Sequence, residues 1–508
     1  MADQSDKGTR ADGRLLVVRG AWALIETLSG SALGIVLSLV LARMVGPEGY
    51  GLVGMALAIV VILKVVVTEG FAIAIVQRTQ ISDIHLNSVF WVNMALGAAL
   101  AVILFLTAPL VAFALGDPRI TSILRAISIF PLFSALAAIP SEKLRREFRF
   151  RWLALRPVFG NVLAGCLGIG LALNGFGLWS LVAFQLTREA VIAGVVFVGA
   201  GWLPKAQCDR SIVASVARFS LNTMGARVVT MSSQRMWVPI CGAFLGPTAA
   251  GYLRLAEQIL MAVQLVTTTP INRVALPTMS RAEQDRAQVA DLYLRLIPAA
   301  AGFVLPMAGY LAVTLPEMIE LAYGLKWLPA AHAGQIMMFT MVTAAITSHA
   351  TTSYISLNLA SVALRQTTVQ FLFSMACYLA TAPFGMIPAA VGFAARGYLG
   401  LPYNARLLSK HLGVSIWDAF QRVVAPATAT GGMILAMLLV SWALDRTTST
   451  IVGLGAETAA GVVAYYLILR LCWPQFIEDA FRLAPQRVVT RIKNIPLLCI
   501  LFLRRNRT

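Results

Sequence analysis

The chain has 508 residues, of which 58% are hydrophobic and 13% charged, and its mean hydropathy is +0.77. A soluble domain is usually about 25% charged, so the composition excludes a soluble globular protein and implies an all-α, polytopic membrane protein. The net charge of +18 raises nucleic acid as a partner. The basic residues sit between apolar stretches, however, so membrane topology explains them and no nucleic-acid partner is expected.

The first residues, MADQSDKGTRADGR, are polar and lack the apolar core of a signal peptide. The first apolar span is therefore expected to direct insertion. Apolar stretches of about 20 residues recur from Leu15 to Cys472, about fourteen in all. They predict an N-terminal segment 1–19, an N-lobe of six helices over 20–209 and a C-lobe of six over 210–415. Two further helices follow over 416–473, then a basic amphipathic tail over 474–508. The tail either lies on an anionic membrane surface or is a solvated extension.

Loop charge supports the even count. Alternate loops and the termini hold roughly 30 Lys and Arg, against roughly four (Arg43, Arg119, Lys326, Arg446) in the opposite loops. The positive-inside rule then puts both termini in the cytoplasm.

The clearest internal repeat is a turn. VGPEGYGL contains Gly46, Pro47 and Gly51, and LGPTAAGYL contains Gly246, Pro247 and Gly251 at the same offsets. Six spans separate the two turns. An even number of crossings returns the chain to the same side, which predicts parallel repeats about an axis along the membrane normal.

Charges inside spans cost at least about 2.5–3.5 kcal/mol near a helix centre, so they face water, a partner or a ligand. Arg227, Lys64, Arg235, Arg188 and Arg396 are the candidate cavity residues. Arg227 and Arg235 share one predicted helix, with Pro239 offering a kink beside them. Arg254 has Glu257 three residues on, which favours a structural ion pair over substrate contact. Arg125 is shallow enough to snorkel. Glu26 continues the line of Gly30 and Gly34, a GxxxG close-packing face, and Glu69 lies near the end of span two. Each is a structural or coupling candidate, as are Arg254 and Glu257. The six cysteines and four histidines form no zinc or disulfide spacing, and no nucleophile elbow or P-loop is present. No catalytic residue, metal or cofactor is expected.

The segments ARMVGPEGYGLVGMALAIV and EGFAIAIVQR resemble the first hairpin of Wzx-type oligosaccharide flippases. These belong to the multidrug/oligosaccharidyl-lipid/polysaccharide exporter superfamily. GPTAAGYLRLAEQI and PINRVALPTMSR resemble a later hairpin of the same group. The resemblance covers most of residues 15–415. It implies two six-helix lobes plus two helices, a cationic central cavity, and movement of an undecaprenyl-diphosphate-linked oligosaccharide between leaflets of a bacterial inner membrane. The implied partners are that lipid-linked substrate, membrane lipids and other polysaccharide-assembly membrane proteins. The rival readings are a cation antiporter of the superfamily, which favours buried carboxylates, a membrane glycosyltransferase or polymerase, and a membrane scaffold. An interior richer in Arg and Lys than in Glu, with no large external loop or acidic metal motif, favours the flippase.

Overall fold

A computed structural model describes the backbone of residues 2–70, 82–282, 285–444 and 450–476. Side chains are described from Gly30 onward within these stretches, apart from positions 31, 32, 69, 216, 218, 219, 221–223, 226, 273, 274, 276 and 277. The side chains of Glu26, Glu69 and the N-terminal basic residues, and the whole of the tail beyond Phe476, therefore lie outside what is described.

Every regular element described is helical. The first half holds α1 (Ala2–Glu69), α2 (Asp83–Ala114), α3 (Arg119–Ile127), α4 (Phe130–Arg146), α5 (Phe150–Leu173) and α6 (Leu178–Ala200). Then come α7 (Arg210–Arg235), α8 (Trp237–Ser280), α9 (Arg286–Tyr323), α10 (Leu328–Met338), α11 (Thr340–Thr347) and α12 (Ala350–Ser356). The chain closes with α13 (Ala360–Thr381), α14 (Met386–Leu399), α15 (Leu401–Leu412), α16 (Ile416–Ala443) and α17 (Thr450–Cys472). Helices are the outcome apolar sequence dictates, because hydrocarbon offers no partner to a backbone N–H or C=O.

Among the described residues, nine helical stretches are long and apolar enough to cross a membrane. The protein is thus a multi-pass membrane protein, but the expected fourteen continuous spans are not recovered as such. Two of the nine stretches, Leu33–Thr68 and Arg227–Asn272, each contain a non-helical glycine. Elsewhere the expected spans are cut into pieces. The region 328–356 is divided among α10, α11 and α12, and Gly385, at φ 120°, separates α14 from the short turn before it.

The hairpin glycines are nearly superimposable in conformation. Gly46 has φ 85° and ψ 170°, and Gly246 has φ 83° and ψ 172°. Positive φ suits glycine alone at low cost, and the proline that follows each is pre-set for the first position of the next helix. Each helix therefore folds back with no intervening loop.

The chain forms two compact units. Unit 1 comprises Met1–Ile259, Met318–Met337 and Leu364–Arg396, and so holds both Gly-Pro turns. Within it α5 packs on α6 and α1, α2 and α6 pack on α4, and α7 lies on α1. Close approach depends on small residues. Gly30 lies under the Pro157 ring, Gly34 meets the Asn161 amide, and Asn161 Nδ2 donates to the Gly30 carbonyl at 2.7 Å. The GxxxG face therefore packs as expected. A core of Leu86, Val89, Phe90, Ile139 and Met224 ties α2, α4 and α7 together.

Unit 2 comprises Leu260–Glu317, Met338–Ala363 and Gly397–Thr508. In it α16 packs along α17. Tyr293 donates to the Ile346 carbonyl at 2.8 Å near the end of α11, and Tyr465 donates to the Gly302 carbonyl at 3.0 Å. Arg286 donates to the Lys410 carbonyl at 2.7 Å, satisfying a helix end that has no intrahelical donor.

Candidate functional site

The site lies in unit 1, where α7 gives way to α8. Pro239 has no N–H to offer the carbonyl four residues back, which is that of Arg235, and its ring crowds that carbonyl. The helix is accordingly interrupted between Arg235 and Trp237, although Met236 between them keeps helical dihedrals. Arg235 thus stands at a helix end inside an apolar stretch, and not in mid-helix.

Below that break lies Glu257, only 5% exposed. Three arginines act on its carboxylate electrostatically: Arg235, Arg254 and Arg396. They come from the end of α7, from one turn earlier on α8, and from α14. Three of the sequence candidates, scattered between positions 235 and 396, thus act on a fourth, the buried acid Glu257.

Each of two arginines has a further hold that is not an acid. Arg396 lies 3.8 Å from the centroid of the Phe393 ring and 5.7 Å from that of Tyr378, and donates to the Tyr378 hydroxyl. Trp237 packs on Phe393 at 4.6 Å, completing an aromatic wall. Rings on this side attract the guanidinium through their quadrupole and fix its plane. Arg254 lies over Tyr50 at 4.9 Å. Its side chain fills the notch at Gly54, where a Cβ would come within 2.6 Å of Arg254 Cδ. The Tyr50 hydroxyl bonds to Gln258 Oε1, and Ser38 Oγ donates to the same oxygen at 3.3 Å. Ser38, Tyr50, Leu57, Phe184, Gln185 and Arg254 line a small recess. Arg254 therefore packs on a ring and lines this recess, and it acts on Glu257 electrostatically without the i,i+3 ion pair expected of the two among the described contacts.

Lys64 belongs to a second cluster. Its Nζ lies 2.8 Å from Glu189 Oε2, with the lysine side chain 28% exposed and the glutamate 5%. It also sits 5.0 Å over the Phe130 ring, and Ser134 donates to the same carboxylate oxygen at 3.4 Å. Arg188 acts on Glu189 electrostatically although the two are sequence neighbours, and its Nε is buried without a hydrogen bond. Arg227 lies exposed on α7, eight positions before Arg235. Arg125 stacks over Phe105 at 5.2 Å, away from both clusters. The side chains of Glu26 and Glu69 remain outside what is described. Among the described residues no group of three or more His, Cys, Asp or Glu side chains is placed to hold a metal.

Sequence reasoning missed Glu189 as the partner of Lys64, 125 positions away. It also missed the aromatic wall of Trp237, Tyr378 and Phe393. The Gly54 notch had a signal, since 254 − 54 = 200 is the offset of the repeated turns (246 − 46 = 200).

A profile described as a polysaccharide biosynthesis protein family matches residues 40–332, more than half of the chain. The chain belongs to that family. It is a member of the multidrug/oligosaccharidyl-lipid/polysaccharide exporter superfamily, as its hairpin motifs lead one to expect. It is 26% identical over 309 residues to the succinoglycan biosynthesis transport protein ExoT of Rhizobium meliloti (strain 1021), covering 60% of this chain and 62% of that protein. The chain thus matches a little under two thirds of that relative's length. Against the teichuronic acid biosynthesis protein TuaB of Bacillus subtilis (strain 168), identity is 21% over 423 residues, with 82% of this chain and 87% of that one covered. The fold is shared with a solved structure of the lipid II flippase MurJ in an inward closed conformation. The TM-score is 0.75 at 16% identity, covering 90% of this chain and 99% of that one.

Proposed function

We propose that this family member is a flippase. It carries an undecaprenyl-diphosphate-linked oligosaccharide from the inner to the outer leaflet of a bacterial cytoplasmic membrane during exopolysaccharide or surface-polysaccharide assembly. The observation that carries the reading is the convergence of Arg235, Arg254 and Arg396 on one buried site within apolar helices. A diphosphate cannot leave water unless donors replace its hydration, and guanidinium groups do so with short, charge-assisted bonds. Family membership and the flippase fold support the same conclusion. No covalent bond changes, so no catalytic group is needed.

In this reading the chain crosses the membrane fourteen times with both termini in the cytoplasm. Residues 20–209 and 210–415 form two lobes and 416–473 an appendage. The lobes rock about the cationic interior, exposing it to one side and then the other. Lys64, Arg188 and Arg227 belong to the route, with Arg227 near its entrance because it is exposed on α7. Gly46, Pro47, Gly246 and Pro247 are its fixed turns. Other polysaccharide-assembly membrane proteins are the partners this reading adds. Against a cation antiporter, two of the buried carboxylates, Glu189 and Glu257, have cationic neighbours, whereas Glu457 in unit 2 is buried beside the acid Glu317.

The test is reconstitution in liposomes holding a fluorescent undecaprenyl-diphosphate oligosaccharide, with leaflet exchange followed by quenching from outside. Protein-dependent exchange that fails in Arg235→Ala and Arg396→Ala supports the reading. No exchange of any lipid-linked oligosaccharide, together with uptake of organic cations, would replace it with the antiporter.

A further inference from the structure

Trp327, in unit 1, is only 1% exposed and is packed among three tyrosine rings. Tyr50, on α1 just after the first Gly-Pro turn, lies edge-to-face with it at 5.6 Å. Tyr252, on α8 just after the second turn, lies edge-to-face at 6.1 Å, and Tyr323 at the end of α9 lies at 5.7 Å. One indole therefore joins both hairpins. The chain delivers it by a third turn of the same kind. Gly324 has φ 89° and ψ 169°, close to the values of Gly46 and Gly246, and a short 3-10 helix, Leu325–Trp327, follows it. Arg43 on α1 donates to the Ala322 carbonyl at 3.3 Å. That bond is exposed and water competes for it, so the indole is the firmer hold.

Tyr50 has a second duty. Arg254 lies over its ring at 4.9 Å, and its hydroxyl bonds to Gln258, one turn beyond Arg254 on α8. The Tyr50 side chain is 2% exposed, held by Trp327 and by Gln258 together. A cation is drawn to the face of a ring, so the plane of Tyr50 sets where the guanidinium lies. Arg254 is itself only half-buried and lines the recess beside it. A tryptophan that merely filled space would need apolar bulk around it and no fixed angle. Edge-to-face packing against rings from two hairpins fixes an angle.

We infer that Trp327 is a positioning residue for the arginine site: seated between the two hairpins it fixes Tyr50, and Tyr50 presents Arg254 to the diphosphate of the lipid carrier. This rests on the flippase reading and deepens it, since it names what orients one of the three guanidinium groups. It also ties presentation of the arginine to the state of the turns. Parting the hairpins at this point withdraws the indole from one tyrosine or the other. A guanidinium whose ring has tilted loses both its stacking and its aim. Ligand affinity then differs between the seated and unseated states, which links binding to conformation.

The experiment uses the full-length protein in nanodiscs, as wild type, Trp327→Ala and Trp327→Phe. Each is treated with phenylglyoxal, and adducts at Arg254 and Arg396 are followed by mass spectrometry. Arg254 in Trp327→Ala should react about fivefold faster than in wild type, as for loss of one cation–π contact. Arg396, held by Phe393 and Tyr378, should keep its rate. Trp327→Phe retains a ring and should restore most of the protection. In liposomes, the concentration of undecaprenyl-diphosphate oligosaccharide giving half-maximal flipping should rise about fivefold in Trp327→Ala, within the usual range of site–site coupling, with a smaller change in the maximal rate. An unchanged Arg254 rate, an equal gain at Arg396, no recovery with phenylalanine, or unchanged half-saturation in a protein that flips overturns the inference and leaves the flippase reading standing. Wild type that flips nothing removes the flippase reading, and labelling alone then decides whether Trp327 positions Arg254. Should Trp327→Ala fail to fold, Trp327→Leu, which keeps apolar bulk between the hairpins, takes its place with the same outcomes.

Discussion

Gly51 lies against the backbone carbonyl of Pro247, and Gly251 lies against that of Pro47. The contact is reciprocal, as at a two-fold axis, where each residue repeats its counterpart's interaction. A Cβ on either glycine would collide with the opposing carbonyl. The two Gly-Pro turns are thus not only alike in conformation but interlocked.

This interlock separates two kinds of glycine. Gly51→Ala and Gly251→Ala should each destabilise the protein by about 1–3 kcal/mol, the usual result of overpacking. Gly46→Ala meets nothing within 4 Å and suffers backbone strain alone, about 1–3 kcal/mol at this φ and ψ. Side-chain size separates the two causes: Gly51→Leu should melt well below Gly51→Ala, whereas Gly46→Leu should melt close to Gly46→Ala. Equal losses for Gly51→Ala and Gly51→Leu in one detergent would refute the interlock.

Lys64→Met should lower stability by about 3 kcal/mol, because Glu189 is left buried without its cation. The double variant Lys64→Met, Glu189→Met should be less damaged than the sum of the two single changes. Thermal unfolding of all four proteins closes the cycle. Strict additivity would mean the pair does not interact.

Arg396→Lys keeps the charge but loses the plane that lies on Phe393 and the donor aimed at Tyr378. Flipping should fall about tenfold, as for loss of a desolvated cation–π contact. Initial rates in liposomes at matched protein density measure it. Full activity would show that charge alone suffices there.

Outside the membrane stretches, Asp117 accepts from the Arg119 side chain at 2.8 Å and from its backbone N–H at 2.9 Å, and Arg119 also pairs with Glu48 at 2.7 Å. The hydrogen bond from the Arg119 side chain holds the Asp117 carboxyl below its usual range, against an opposing effect of burial. A depressed folded-state value means the contribution is present above the ordinary carboxylate pKa of about 4 and fades as pH falls through the lower one. Asp117→Asn should therefore melt below wild type at neutral pH, and the gap should close as pH falls below the ordinary carboxylate value of about 4. A pH-independent gap would assign the effect to something other than this ion cluster.

Much of this architecture was legible in the chain. The Gly46-Pro47 and Gly246-Pro247 turns were readable because positive φ and a first-turn proline depend on local residue type. The break beside Arg235 was readable from Pro239 for the same reason. The partner of Lys64 was not, since nothing local distinguishes Glu189 among the acids of other helices, and its neighbour Arg188 draws attention first. The cage around Arg396 was half visible: Phe393 is three residues away, but Tyr378 and Trp237 arrive through packing. The cuts between 328 and 356 were invisible because a hydropathy window averages over a turn of one or two residues.

The notch at Gly54 bears on how such a chain arises. Two copies of the first half alone would meet with a hollow facing a hollow, since Gly54 would oppose Gly54. Two copies of the second half would drive one guanidinium into another. Only an unlike pair, one copy with the glycine and the other with the arginine, fits together, so positions 54 and 254 rule out an assembly of two identical halves at this contact.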